Sequence, residues 1–256
     1  MSAEPAIRWS AQRVLLHILI GLGAGFLSGM FGVGGGVVLV PALVLLLGYG
    51  QRLAAGTSLA AIVPTATVGV ISYAMAGDVQ WVAAVLLAAG AVAGAQIGTW
   101  LLPRVPVRAL QLGFAVFMIV VVVALFLVVP SRGAEFVVDF STGAVLVLLG
   151  LVTGVLSGLL GVGGGIIVVP ALMLLLGTSD LIARGTSLLM MIPTAISGTV
   201  GNLRRRNVNL VGAAIIGVSA CTTTALGALL ARSIDRPAAR SHPSGIGCKP
   251  EHFDDC

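Results

Sequence analysis

The chain has 256 residues, of which only 9% are charged and 58% are hydrophobic. A soluble domain carries about 25% charged residues because its surface must meet water, so lipid has to solvate most of this molecule and a water-soluble globule is excluded. The net charge of +5 does not make nucleic acid a partner, since Arg52, Arg104, Arg108 and Arg204 to Arg206 only punctuate apolar runs and form no basic stripe interleaved with aromatics.

Five apolar segments are predicted in the first half, at residues 14–31, 37–47, 57–76, 81–102 and 107–129. The first follows Arg8 and Arg13 and runs on without a cleavage site, so it reads as a retained membrane helix rather than a signal peptide. After a linker at 130–141, the second half supplies segments at 142–160, 166–176, 186–203 and 210–231. Most have the ~20 residues that a hydrocarbon core of about 30 Å requires. The second segment of each half does not, because eleven residues at about 1.5 Å each reach only halfway. Each must be half of a broken or re-entrant element. The expected architecture is an all-α polytopic membrane protein with about seven to nine membrane segments.

The halves are copies. Residues 25–48 read GFLSGMFGVGGGVVLVPALVLLLG and residues 154–177 read GVLSGLLGVGGGIIVVPALMLLLG, about 17 of 24 positions being identical at an offset of 129. The same offset aligns Gly56-Thr57-Ser58-Leu59 with Gly185-Thr186-Ser187-Leu188, and Pro64-Thr65-Ala66 with Pro193-Thr194-Ala195. The repeats are therefore set at 14–129 and 142–231. A fifth helix is expected near residues 236–256, but RPAARSHPSGIGCKPEHFDDC stands there, too polar and proline-bearing to span lipid. Loss of the helix and alteration of this 232–256 tail by truncation or frame change both fit.

Arginine placement predicts orientation. If each break returns the chain to the side it came from, Arg8, Arg13, Arg52, Arg104, Arg108 and Arg204 to Arg206 share one face, and only Arg132 and Arg184 oppose them. A single crossing would give a poorer split. The first arrangement places the N-terminus in the cytoplasm and inverts the second half relative to the first.

Four glycines in five positions, Gly32, Gly34, Gly35 and Gly36 in one half and Gly161, Gly163, Gly164 and Gly165 in the other, unwind an apolar helix, each costing about 1 kcal/mol relative to alanine. The short helix that follows begins with free N–H groups and the positive end of its dipole, which together make an anion cradle. Close helix packing is the alternative, and it suits Gly90, Gly94 and Gly98, spaced four apart. Thr57 and Ser58, with Thr186 and Ser187, bring hydroxyls that either donate to an oxyanion or satisfy carbonyls of their own helix. Pro41, Pro64, Pro170 and Pro193 kink their helices.

No acid falls within a predicted segment, so an intramembrane carboxylate relay is not expected. His17 is the one histidine in a span and reads as interfacial. Cys221, Cys248 and Cys256 are too few for a disulfide framework, and His242, Cys248, His252 and Cys256 fit no zinc spacing. Neither metal nor cofactor is expected. No nucleophile with its base can be assembled in the spans, which disfavours an enzyme.

The duplicated GVGGG–proline motif with its downstream GTS resembles the TauE/SafE family of sulfite exporters and related permeases, over about residues 12–231. The resemblance implies transport across the cytoplasmic membrane of sulfite, sulfoacetate or another small sulfur-containing or organic anion. It also implies that Gly32, Gly34 to Gly36 and Pro41, with Gly161, Gly163 to Gly165 and Pro170, carry it. A non-transporting binding or scaffold subunit is the rival reading, and a homo-oligomer is compatible with either.

Overall fold

The computed structural model describes residues 10–127 and 140–240, and all its secondary structure is helical. In order these helices are α1 (Ala11–Phe31), α2 (Gly36–Leu47), α3 (Gln51–Ala74), α4 (Trp81–Leu101), α5 (Val107–Leu127), α6 (Phe140–Leu160), α7 (Gly165–Leu176), α8 (Asp180–Leu203) and α9 (Leu210–Arg240). Among the described residues, six are long and apolar enough to cross a membrane: α1, α3, α4, α6, α8 and α9. The 12-residue α2 and α7 are about 18 Å long and reach only partway.

Three expected boundaries shift. α3 and α8 begin at Gln51 and Asp180, six residues before Thr57 and Thr186, so these threonines lie inside long helices instead of opening them. The polar residues that hid this belong to helix starts, where Ser179 accepts the amide of Ile182 (3.4 Å) and Asp180 sits in the positive first turn. α9 continues past the expected end at 231 to Arg240, since a helix leaving the hydrocarbon no longer needs apolar residues. The rest of the tail, with the residues weighed as a zinc site, lies outside the described residues, as does most of the 130–141 linker.

Helix senses follow from which residues meet. A Cβ at Gly90, Gly94 or Gly98 on α4 would strike the carbonyl oxygen of Val147, Leu151 or Val155 on α6. Those numbers rise together, so α4 and α6 are parallel. Gly21, Gly25 and Gly29 of α1 meet Ile216, Ala220 and Thr224 of α9 in the same way. Between α3 and α8 the order reverses, Gly69 meeting Leu188 and Gly198 meeting Leu59. Gly56 against Asn207 and Gly217 against Pro64 make α9 parallel to α3, and Ser197 against Val92 with Gly201 against Thr99 makes α8 parallel to α4. α1, α3 and α9 therefore run one way, and α4, α6 and α8 the other.

These senses sort the loops into two ends. At one end Arg13 starts α1, Arg52 donates to the carbonyls of Pro103 (3.2 Å) and Val105 (3.0 Å), and Arg204 to Arg206 follow α8. At the other, Tyr73 donates to the Gly29 carbonyl (2.8 Å), the Gln80 amide donates to Thr186 (2.9 Å), and Arg232 approaches Asp78. The glycine seams let backbones touch where no hydrophobic force can draw helices together in lipid.

Candidate anion site

Each glycine cluster is a real break between two helices. α1 stops at Phe31 and turns on Gly32 (φ 69°), whose amide bonds back to Ser28 at 2.9 Å. α6 stops at Leu160 and turns on Gly161 (φ 76°), bonded to Ser157 at 2.8 Å. Gly34 and Gly35 (φ 73° and 71°) and Gly163 and Gly164 (both 85°) complete the turns. All six glycines are left-handed, a region that costs an L-residue roughly 1–2 kcal/mol. Gly36 and Gly165 are different. Their Cβ atoms would lie 2.6 Å from the Val162 oxygen and 2.8 Å from the Gly32 oxygen, so each is glycine because the other half's loop passes against it.

The two loops therefore meet inside the protein, and all eight motif glycines are buried. Beyond them, α2 and α7 begin with no acidic residue in their first turns. Among the described residues, the amides of Val33 to Gly35 and of Val162 to Ile166 donate no main-chain hydrogen bond. Buried backbone donors are almost always paired. Unpaired amides at two helix starts, each start carrying roughly half a positive charge, form a place suited to negative charge.

The hydroxyls around the loops have other partners. Ser58 donates to the Gly161 carbonyl (2.7 Å), and Ser187 reaches the Gly32 carbonyl (2.6 Å) and its own Arg184 carbonyl (2.8 Å). Each serine thus holds the opposite half's loop by its first glycine. Thr57 accepts the Asn209 amide (3.0 Å) and Thr186 the Gln80 amide (2.9 Å), and these stand just before α9 and α4. All four are fully buried. They shape and tie the loops, and their hydrogen-bonding capacity is engaged by other residues of the protein. Pro41 and Pro170 lie one turn into α2 and α7, and Pro64 and Pro193 lie within α3 and α8. Pro64 packs against Gly217 of α9.

Residues 2–125 and 146–241 match the family described as Sulfite exporter TauE/SafE. This chain belongs to the TauE/SafE family. It is 27% identical over 244 residues to the probable membrane transporter protein YunE of Bacillus subtilis, covering 86% of this chain and 89% of that one. It is 30% identical over 223 residues to a probable membrane transporter protein of Xylella fastidiosa strain Temecula1, covering 84% and 85%. A probable membrane transporter protein of Haemophilus influenzae is 32% identical over 166 residues, 62% of each chain. No solved structure matches the chain. It is a multi-pass membrane protein of a transporter family.

Three features of this TauE/SafE chain were not visible in its motifs. Ile62 and Met191, fully buried on α3 and α8, occupy matching repeat positions and both touch both loops, at Gly34 and at Gly163. They are ordinary apolar letters, and only the 129-residue offset hints at the pairing. Arg184 lies directly over Gly32 and donates to the Met30 carbonyl, whereas the matching position over Gly161 is Ala55. Finally, His17 is fully buried, its Nδ1 2.6 Å from the Arg13 carbonyl and its Nε2 3.0 Å from the Tyr49 hydroxyl. Asn209 donates to that hydroxyl at 2.9 Å. Tyr49 follows α2, and burial pushes its phenol up, with Asn209 and Arg13 pulling the other way. The phenol stays protonated, and this network fixes the far end of the half-helix to α1 and α9.

Proposed function

We propose that the protein is a secondary transporter that carries a small oxyanion, sulfite or a related sulfonate or organic anion, across the cytoplasmic membrane. The anion sits between the two glycine loops, held by main-chain amides. The carrying observation is that the two glycine loops meet inside the protein, each opening a short helix whose first amides are unpaired and whose first turn holds no acidic residue. A lone charged side chain at that depth would be costly, while oriented amides accept an anion without one.

The halves work as inverted repeats, 14–129 and 142–231. In support, α1 and α6, α3 and α8, and α4 and α9 are repeat counterparts and run in opposite senses. Loop 32–35 then approaches from the Tyr73 end and loop 161–164 from the arginine end, which suits alternating access. The excess of arginine at one end favours a cytoplasmic N-terminus.

The test is uptake of radiolabelled sulfite by proteoliposomes. Wild-type protein should exceed protein-free vesicles, and Gly34→Ala and Gly163→Ala should each cut flux about tenfold or more while the protein stays folded. Their backbone strain of about 1–2 kcal/mol is small for a whole protein, and the methyl group meets the flexible end of Met191. Undiminished flux in both folded variants would sink the loop site. Sulfite binding by wild type without flux would favour a binding or scaffold subunit instead.

A further inference from the structure

The loops share left-handed glycines at matching positions, but their surroundings differ. At the end where α1 and α3 finish and α8 begins, four charged side chains gather: Asp180, Arg184, Asp78 and Arg232. The repeat offset carries these positions to Gln51, Ala55, Asn207 and Pro103 at the opposite end, none of them charged. Among the described residues, the two carboxylate–arginine pairs lie at this end, whereas the opposite end holds arginines alone.

In the mouth formed by these pairs the two arginines differ. Arg184 is engaged, its Nε 2.9 Å from Asp180 Oδ1, its Nη2 on Asp180 Oδ2 and its Nη1 on the Met30 carbonyl. That last bond lies beside the one from Tyr73 to the Gly29 carbonyl, 2.8 Å, so Arg184 and Tyr73 hold successive carbonyls of the last turn of α1. Arg232 lies 5.3 Å over the Tyr73 ring. Its side chain is 14% exposed, and Asp78 Oδ2 is 3.6 Å from its Nε, beyond hydrogen-bond length. Its Nε and Nη2 are buried and, among the described residues, have no hydrogen-bond partner. A guanidinium offers a planar fork of donors that fits two oxygens of one anion. Leaving two of those donors buried and unmet is costly.

We propose that Arg232, beside Tyr73 and Arg184, forms a second anion site at this mouth, which receives a sulfite-like oxyanion before it reaches the glycine loops. Two oxygens of the anion take Nε and Nη2 of Arg232. Arg184, whose main chain touches Gly32, stands between this site and loop 32–35. Opening the mouth exchanges its bond to Met30 for one to the anion. The mouth site deepens the transport reading and rests on it, because the loops are the anion's destination.

Titration of sulfite into purified protein separates the two sites. Wild type should show two binding events. Arg232→Gln should weaken one about tenfold or more, the usual scale for a lost charge-assisted bond, and leave the other intact. Gly163→Ala should do the reverse. Arg232→Lys keeps a charge but not the fork, and should bind at the mouth between wild type and the glutamine variant. If both Arg232 variants bind sulfite with wild-type stoichiometry and affinity, the mouth site is overturned. If only Gly163→Ala is without effect, it is the loop site that falls.

Discussion

Glycine serves two opposite purposes in this molecule. Gly90, Gly94 and Gly98 of α4 pack on Val147, Leu151 and Val155 of α6, Gly150, Gly154 and Gly158 of α6 pack on Leu87, Ala91 and Ala95 of α4, and both helices run straight through them. In 32–36 and 161–165 the glycines are nearly consecutive, and the helix breaks. Propensity alone does not separate the cases, because each glycine weakens a helix about equally. Spacing does. At four-residue intervals the missing side chains form one groove that another backbone fills, and packing repays the weakness. Placed together they point all round the axis, leave no groove, and permit the left-handed turns of Gly32, Gly34 and Gly35. One kind of glycine holds the halves together and the other lets the two loops meet inside the protein.

The largest effect should come from filling the groove. A Cβ at Gly154 would lie 2.3 Å from the Ala91 carbonyl oxygen and 2.7 Å from its Cα. Both are backbone atoms and cannot yield without moving the helix. Gly154→Val should therefore cost about 3 kcal/mol or more, on the scale of severe overpacking, and leave little monodisperse protein on size exclusion in detergent. A normal yield with wild-type thermal unfolding would refute close α4–α6 packing. The loop variants Gly34→Ala and Gly163→Ala should contrast with this, folding normally but failing to transport.

The serine clamps lie between these extremes. Ser58→Ala or Ser187→Ala strips the donor from a buried loop carbonyl, at about 1–3 kcal/mol each. The two bonds are repeat counterparts at 2.7 and 2.6 Å, so the two variants should lower thermal stability by similar amounts. Ser187 also reaches its own Arg184 carbonyl, a weaker local alternative that the variant loses as well. A loss in one variant and none in the other would mean that the loops are not held equivalently.

How much of this could be read from the chain depends on how far each interaction reaches. The breaks at Gly32 and Gly161, the short α2 and α7, and the four-residue seam on α4 follow from local composition, and the structure has them within a residue or two of the expected bounds. The hydroxyls of Thr57, Ser58, Thr186 and Ser187 were found as residues but not as partners. Their bonds join positions more than 100 residues apart, and a sequence shows that a hydroxyl is buried before it shows what receives its proton. Ile62 and Met191 went unnoticed because any apolar residue looks alike in a span. Arg184 was read as an orientation signal, and its contact with Gly32 depends on α8 starting at Asp180, a turn and a half before its apolar stretch.

The smallest effect tests the comparison from the opposite side. Gly23 lies on α1 between Gly21 and Gly25, both packed on α9, yet it is exposed and a Cβ there meets nothing within 4 Å. It belongs to neither class, filling no groove and making no turn. Gly23→Ala should therefore leave flux unchanged and raise stability by up to about 1 kcal/mol, because alanine restricts the unfolded chain and favours the helix. Thermal unfolding in detergent beside the flux assay measures both. A clear loss of stability would mean that a neighbour covers this face in the membrane, and α1 would then have a partner besides α9. An unchanged or slightly higher stability leaves burial against another backbone, rather than glycine content, as the property that makes positions 21, 25 and 29 intolerant.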